Sequence, residues 1–78
     1  MANTHPKLKV RMNRATVYSW VIRNDMRMQD LATCLGVAPA YLSQFLHGRR
    51  YPGPQRRKQI LKVMRPLKWS DLFEEVVQ

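Results

Sequence analysis

Apolar and polar residues alternate from Lys7 to Met12, in Lys7-Leu8-Lys9-Val10-Arg11-Met12, a period of two that predicts a short strand. Beyond it the recurrence is helical. Val17, Trp20, Val21 and Asn24 return at helical spacing, Tyr18 and Ile22 widen the stripe, and Asn13 suits the N-cap. Asn24-Asp25 breaks this helix, because both residues tolerate the left-handed conformation that closes one. A second helix is predicted over Met28 to Leu35, with Leu31, Ala32 and Leu35 on one face, ended by Gly36. The third opens at Pro39, whose missing N–H costs nothing at the first position, and runs to His47 before Gly48 stops it. Arg49-Arg50-Tyr51-Pro52-Gly53-Pro54 is a loop. A fourth helix spans about Gln55–Met64, with Ile60, Leu61 and Met64 inward. Pro66 marks a break, and a fifth helix is expected from Trp69 or Ser70 to Val77, packing Leu72, Phe73, Val76 and Val77. No strand pattern follows residue 13. The expected fold is therefore all-α, with five helices in a domain at 14–78 preceded by a basic arm at 1–13.

Composition narrows what this domain does. The 78 residues carry 14 Lys and Arg against 5 Asp and Glu, a net charge of +9. All the cations and only Asp25 and Asp30 lie in residues 1–68, whereas 69–78 hold Asp71, Glu74 and Glu75 without a base. Residues 49–68 hold Arg49, Arg50, Arg56, Arg57, Lys58, Lys62, Arg65 and Lys68 and no acid. Such a run repels itself, and a polyanion relieves the repulsion. Nucleic acid is the leading partner and an anionic membrane surface the second. No apolar run nears the ~20 residues that span a bilayer. No apolar stretch behind the N-terminal charges suggests a signal peptide, so a cytoplasmic, nucleoid-associated location is expected. One Cys excludes an internal disulfide, and two distant His make a metal site unexpected. No acid–base constellation argues for an enzyme, no cofactor is implied, and no small-molecule ligand is evident. Cys34 reads as a small, partly buried residue, Trp20 and Trp69 as core or dimer-interface residues, and His5 has no visible partner.

The third helix supplies the chemistry. At about 100° per residue, Ala40, Ser43, Gln44 and His47 share one arc, and Tyr41, Leu42, Phe45 and Leu46 fill the opposite one. The apolar arc buries the helix. The other offers compact, uncharged hydrogen-bonding groups, as a base-reading surface in a major groove requires, where an ordinary surface helix carries charges. Two short helices joined by a Gly-containing turn are the sequence form of a helix-turn-helix.

The string Leu31-Ala32, Leu35-Gly36-Val37, Tyr41-Leu42-Ser43-Gln44, Gly48-Arg49-Arg50 and Pro52 resembles the lambda-repressor/Cro-like (XRE-type) helix-turn-helix regulators. With flanking helices the likeness covers roughly residues 14–77. The resemblance implies that Ala38, Pro39, Ala40, Ser43 and Gln44 face base edges. It places Arg27, Gln29, Tyr41, His47, Arg49, Arg50 and Tyr51 on the DNA backbone. Where the family has Ser or Thr followed by Gln at the start of the second helix, this chain has Arg27 and Met28. The usual neutral cap and amide partner of Gln44 are thus missing, and a cation stands in their place.

The expected function is a sequence-specific double-stranded-DNA-binding regulator, a repressor acting as a homodimer on a palindromic operator. Trp69, Phe73, Val76 and Val77 are the candidate dimer residues. The arm is the rival dimer element, pairing with its own copy; it could equally lie along DNA or fray. The alternative function is an architectural or recombination accessory protein of a phage or mobile element, binding DNA mainly through charge. RNA is disfavoured because a helix enters its deep major groove poorly.

Overall fold

A computed structural model describes residues 8–77. The order of elements is β1 (Leu8–Met12), α1 (Arg14–Arg23), α2 (Met28–Leu35), α3 (Pro39–Leu46), α4 (Pro54–Val63), α5 (Trp69–Leu72) and β2 (Phe73–Val77). His5 and Lys7 of the expected arm lie outside the described residues.

Local chemistry sets the helix ends. The Asn13 side chain accepts the Thr16 N–H at 3.2 Å and starts α1. At its other end the Asn24 amide donates to the Trp20 carbonyl at 2.8 Å, and Asp25 adopts φ +53°. Gly36 ends α2 at φ +69°, with its N–H on Thr33 O and the Val37 N–H on Ala32 O, both at 3.0 Å. This backbone conformation strains a residue with a Cβ, so the turn between α2 and α3 is written into that glycine. Gly48 closes α3 in the same way at φ +72°, letting the Arg49 N–H reach the Gln44 carbonyl at 2.9 Å.

The fifth helix departs from expectation. It stops at Leu72, and Phe73–Val77 continue as a strand paired antiparallel with β1. The register sets Met12 opposite Phe73, Arg11 opposite Glu74, Val10 opposite Glu75 and Lys9 opposite Val76. Met12 and Phe73 are 1% and 3% exposed, so the pair closes one side of the core. Among the described residues the fold is thus five helices with a two-stranded sheet, and all-α describes it only approximately. The reason is physical: two adjacent β-branched valines favour a strand, and the alternating segment 8–12 supplies the partner. That segment has a mate within its own chain, and Asn13 N extends the pairing to Leu72 O at 2.6 Å.

Val17 and Val21 of α1, Leu31, Ala32 and Leu35 of α2, Leu42, Phe45 and Leu46 of α3, and Ile60 of α4 are buried together with Met64, Leu72, Met12 and Phe73. Leu61, expected inward, is half-buried. Trp20 packs on this core with its Nε1 donating to Arg65 O at 3.3 Å. Cys34, expected to be partly buried, is exposed.

Candidate nucleic-acid interface

The turn at residues 36–38 holds α3 against α2 and presents α3's outer arc. Leu42, Phe45 and Leu46 are buried, which fixes the rotation of the helix about its axis. Ala38, Pro39, Ala40, Ser43 and His47 are exposed as a consequence, and Gln44 and Tyr41 are half-buried at the edges of the arc. Of the five residues expected to face bases, Ala38, Pro39, Ala40 and Ser43 are thus exposed and Gln44 half-buried, and none of them carries a charge.

Gln44 has a partner that the sequence left open. Its Oε1 accepts from Arg50 Nε at 2.5 Å. The Arg50 guanidinium lies over the Tyr41 ring, 5.0 Å from its centroid, and Tyr41 meets the buried Phe45 edge-on at 4.9 Å. The Arg50 backbone N–H also donates to Gln44 O at 3.2 Å. The loop after α3 thereby folds back over one side of the helix and supports the Gln44 amide.

Cations gather beside His47 and the loop from elements distant in sequence. Arg14, the first residue of α1, brings Nη1 to 3.5 Å from His47 Nδ1. Lys9 of β1 sits 5.9 Å over the Tyr51 ring, and the Arg11 Cδ stands 3.7 Å from where a Cβ on Gly48 would be. Arg11 is partly neutralised by Glu74, with Nη2 to Oε1 at 2.9 Å. Arg49 is exposed. Lys9, Arg11 and Arg14 are not marked as binding residues by any local pattern; the packing of β1 beside α3 brings in Lys9 and Arg11, and the start of α1 brings in Arg14.

Some cations of the 49–68 run are already engaged. Arg56 Nη1 donates to Leu35 O at 3.2 Å and Gln59 Oε1 at 2.7 Å, and Gln59 Nε2 donates to the same carbonyl at 2.8 Å. A cation there compensates the negative end of α2. Arg57 Nη1 holds Pro52 O at 2.8 Å and fixes the loop before α4. These two arginines hold the fold together, and the run is less free than its composition suggests.

Arg27, expected at the DNA backbone, stands at the start of α2 in a small polar cluster. Its backbone N–H donates to Asp30 Oδ2 at 2.9 Å and its Nε reaches the same oxygen at 3.3 Å. In the amide orientation that satisfies both partners, Gln29 accepts from Arg27 Nη1 and Nη2 at 3.0 and 3.1 Å. The Arg27 side-chain hydrogen bond, followed by its backbone N–H, holds the Asp30 carboxyl below the usual aspartate value of 3.8. Arg27 remains 74% exposed, so a phosphate can still reach it.

The dimer candidates divide. Phe73 belongs to its own chain's core and is unavailable to a partner. Trp69 is exposed beside it, with ring centroids 5.6 Å apart, and Val76 is half-buried and Val77 exposed. Among the described residues no helix is long and apolar enough to cross a membrane.

Among known proteins, this chain is similar to YvzC of Bacillus subtilis (strain 168), an uncharacterized HTH-type transcriptional regulator. The two are 37% identical over 68 residues, which cover 87% of each chain. No protein-family model matches the chain. No solved structure matches it either.

Proposed function

We propose that this chain, which belongs to the HTH-type transcriptional regulators, acts as a repressor of the lambda-repressor/Cro-like kind, inserting α3 into the major groove of a specific operator. One observation carries the reading: the uncharged outer arc of α3 is bordered by cations from β1, α1 and the loop after α3. Cations at the border neutralise phosphates and position the domain, and neutral groups between them read base edges. Gln44 is the main reader, because its amide can bond an adenine bidentately, giving about 1–3 kcal/mol of discrimination. Ala38, Pro39 and Ala40 supply contact with thymine methyls, and Ser43 a single adaptable hydrogen bond. Arg14, His47, Arg49, Arg27 and Lys9 are assigned to phosphate, with Gln29 and Tyr51 beside them.

In this reading the protein occludes a promoter as a two-fold dimer. Half-sites then lie about 34 Å apart, or a multiple of that, and the operator is palindromic. Trp69, Val76 and Val77 are the proposed contact residues. The two rival dimer elements, arm and tail, meet in one sheet through β1 and β2, so one face can use both. Competition gel shifts test the proposal. A palindrome that random DNA fails to displace supports a repressor, and equal competition by random DNA supports an architectural protein instead.

A further inference from the structure

We infer that Arg50 sets the sequence preference of this domain by fixing the amide of Gln44, rather than serving as one more phosphate contact; this rests on the reading that Gln44 faces bases. A glutamine amide has an acceptor end and a donor end of nearly the same shape, and turning it by half a revolution exchanges them. An unrestrained Gln44 can therefore offer either pattern to a base pair. Arg50 removes the choice, because a guanidinium only donates and the amide end beside its Nε must be oxygen. The NH2 end is left for other partners, and Oε1 keeps a second lone pair. That is the polarity adenine requires, with Nε2–H given to N7 and Oε1 accepting from N6–H.

The brace is itself anchored. Arg50 is held by its backbone N–H on Gln44 O, by the face of Tyr41 and by the amide oxygen. Tyr41 is fixed in turn by the buried Phe45. A guanidinium held at two points, on a backbone that is itself bonded to α3, is poorly placed to follow a phosphate and well placed to orient a neighbour. Lysine cannot replace it here, because it keeps the charge but lacks the planar Nε–H that meets the amide oxygen while the fork lies on the ring.

The test uses duplexes that the unmodified protein selects from a random double-stranded DNA library. Each base pair of the selected site is varied singly, and competition binding is measured for the unmodified protein, Gln44→Ala, Arg50→Lys and Arg50→Ala. Gln44→Ala should abolish an about 5–150-fold preference at one or two base pairs. Arg50→Lys should weaken the preference at those same base pairs by at least about threefold, the worth of one lost hydrogen bond, with an unchanged salt slope. Combining Gln44→Ala with Arg50→Lys should add nothing there. The inference is overturned if Arg50→Lys keeps the full preference, or if Arg50→Ala weakens all duplexes alike. If Gln44→Ala alters no base preference, the assignment of α3 as reader falls, and this inference with it. Arg50 is exposed, so thermal unfolding of both variants should match the unmodified protein and exclude misfolding as the cause.

Discussion

Arg11 and Glu74 face each other across the β1–β2 pair, with Nη2 to Oε1 at 2.9 Å and Nε to the same oxygen at 3.0 Å. The pair joins residues 63 positions apart, yet both side chains are nearly half exposed, 45% and 48%. Water and salt screen such a pair, so a double-mutant cycle of Arg11→Ala with Glu74→Ala should give a coupling of no more than about 1 kcal/mol, shrinking with added salt. Burial of Met12 and Phe73 does more to hold the strands. Phe73→Ala should destabilise by about 3–5 kcal/mol in urea unfolding, a large part of what a domain of this size has.

That strand pair marks where the sequence could not be read. Leu72, Phe73, Val76 and Val77 lie at positions that suit one face of a helix, and Phe73–Val77 lacks the alternation that marks a half-buried strand. The decision rests with β1, some sixty residues away, and no local pattern reports a partner at that distance. The alternation at 8–12 was visible, but its mate was not. By contrast α2, the Gly36 turn and the rotation of α3 rest on local signals, namely a glycine, a proline at the first helical position and an apolar arc. Those signals suffice to set which side of α3 is buried and which carries the uncharged surface around Gln44. The contacts of Arg50, Arg56 and Arg57 were hidden because an arginine's charge is legible in sequence, whereas the acceptor it reaches is not.

Gly36 tests the turn. Its φ of +69° penalises any Cβ, but the space around it is open. Gly36→Ala should therefore cost only the left-handed backbone penalty, about 1–2 kcal/mol in urea unfolding. The base preference of the folded variant should be unchanged, since no side chain of the α3 arc is displaced.

Acid should loosen the start of α2. Asp30 has its carboxyl lowered in the folded state by the Arg27 hydrogen bonds. A lowered folded value means that its contribution is complete above the unfolded aspartate range and is lost as pH falls through the folded value. The Asp30 carboxyl carbon, followed by NMR, should titrate below an ordinary aspartate, and Arg27→Ala should move it upward. An Asp30→Asn variant should lose this part of the acid dependence of stability.

Arg49 and Gln44 should separate affinity from specificity. Arg49→Ala should weaken binding to all duplexes alike and flatten the dependence of log K on log salt by about 1. Gln44→Ala should leave that slope intact and lower discrimination at one or two base pairs by about 1–3 kcal/mol. Salt-dependent binding to the preferred duplex and to single-base variants distinguishes the two.

Everything proposed for this protein depends on an uncharged arc of α3, framed by cations, reading a defined DNA sequence. The decisive experiment is selection of bound duplexes from a random double-stranded library by the full chain. It should enrich one palindrome, with half-site centres about 34 Å apart or a multiple of that, and with adenine at the position sensitive to Gln44. Retention of all sequences alike, with affinity governed by salt alone, would contradict sequence reading by α3.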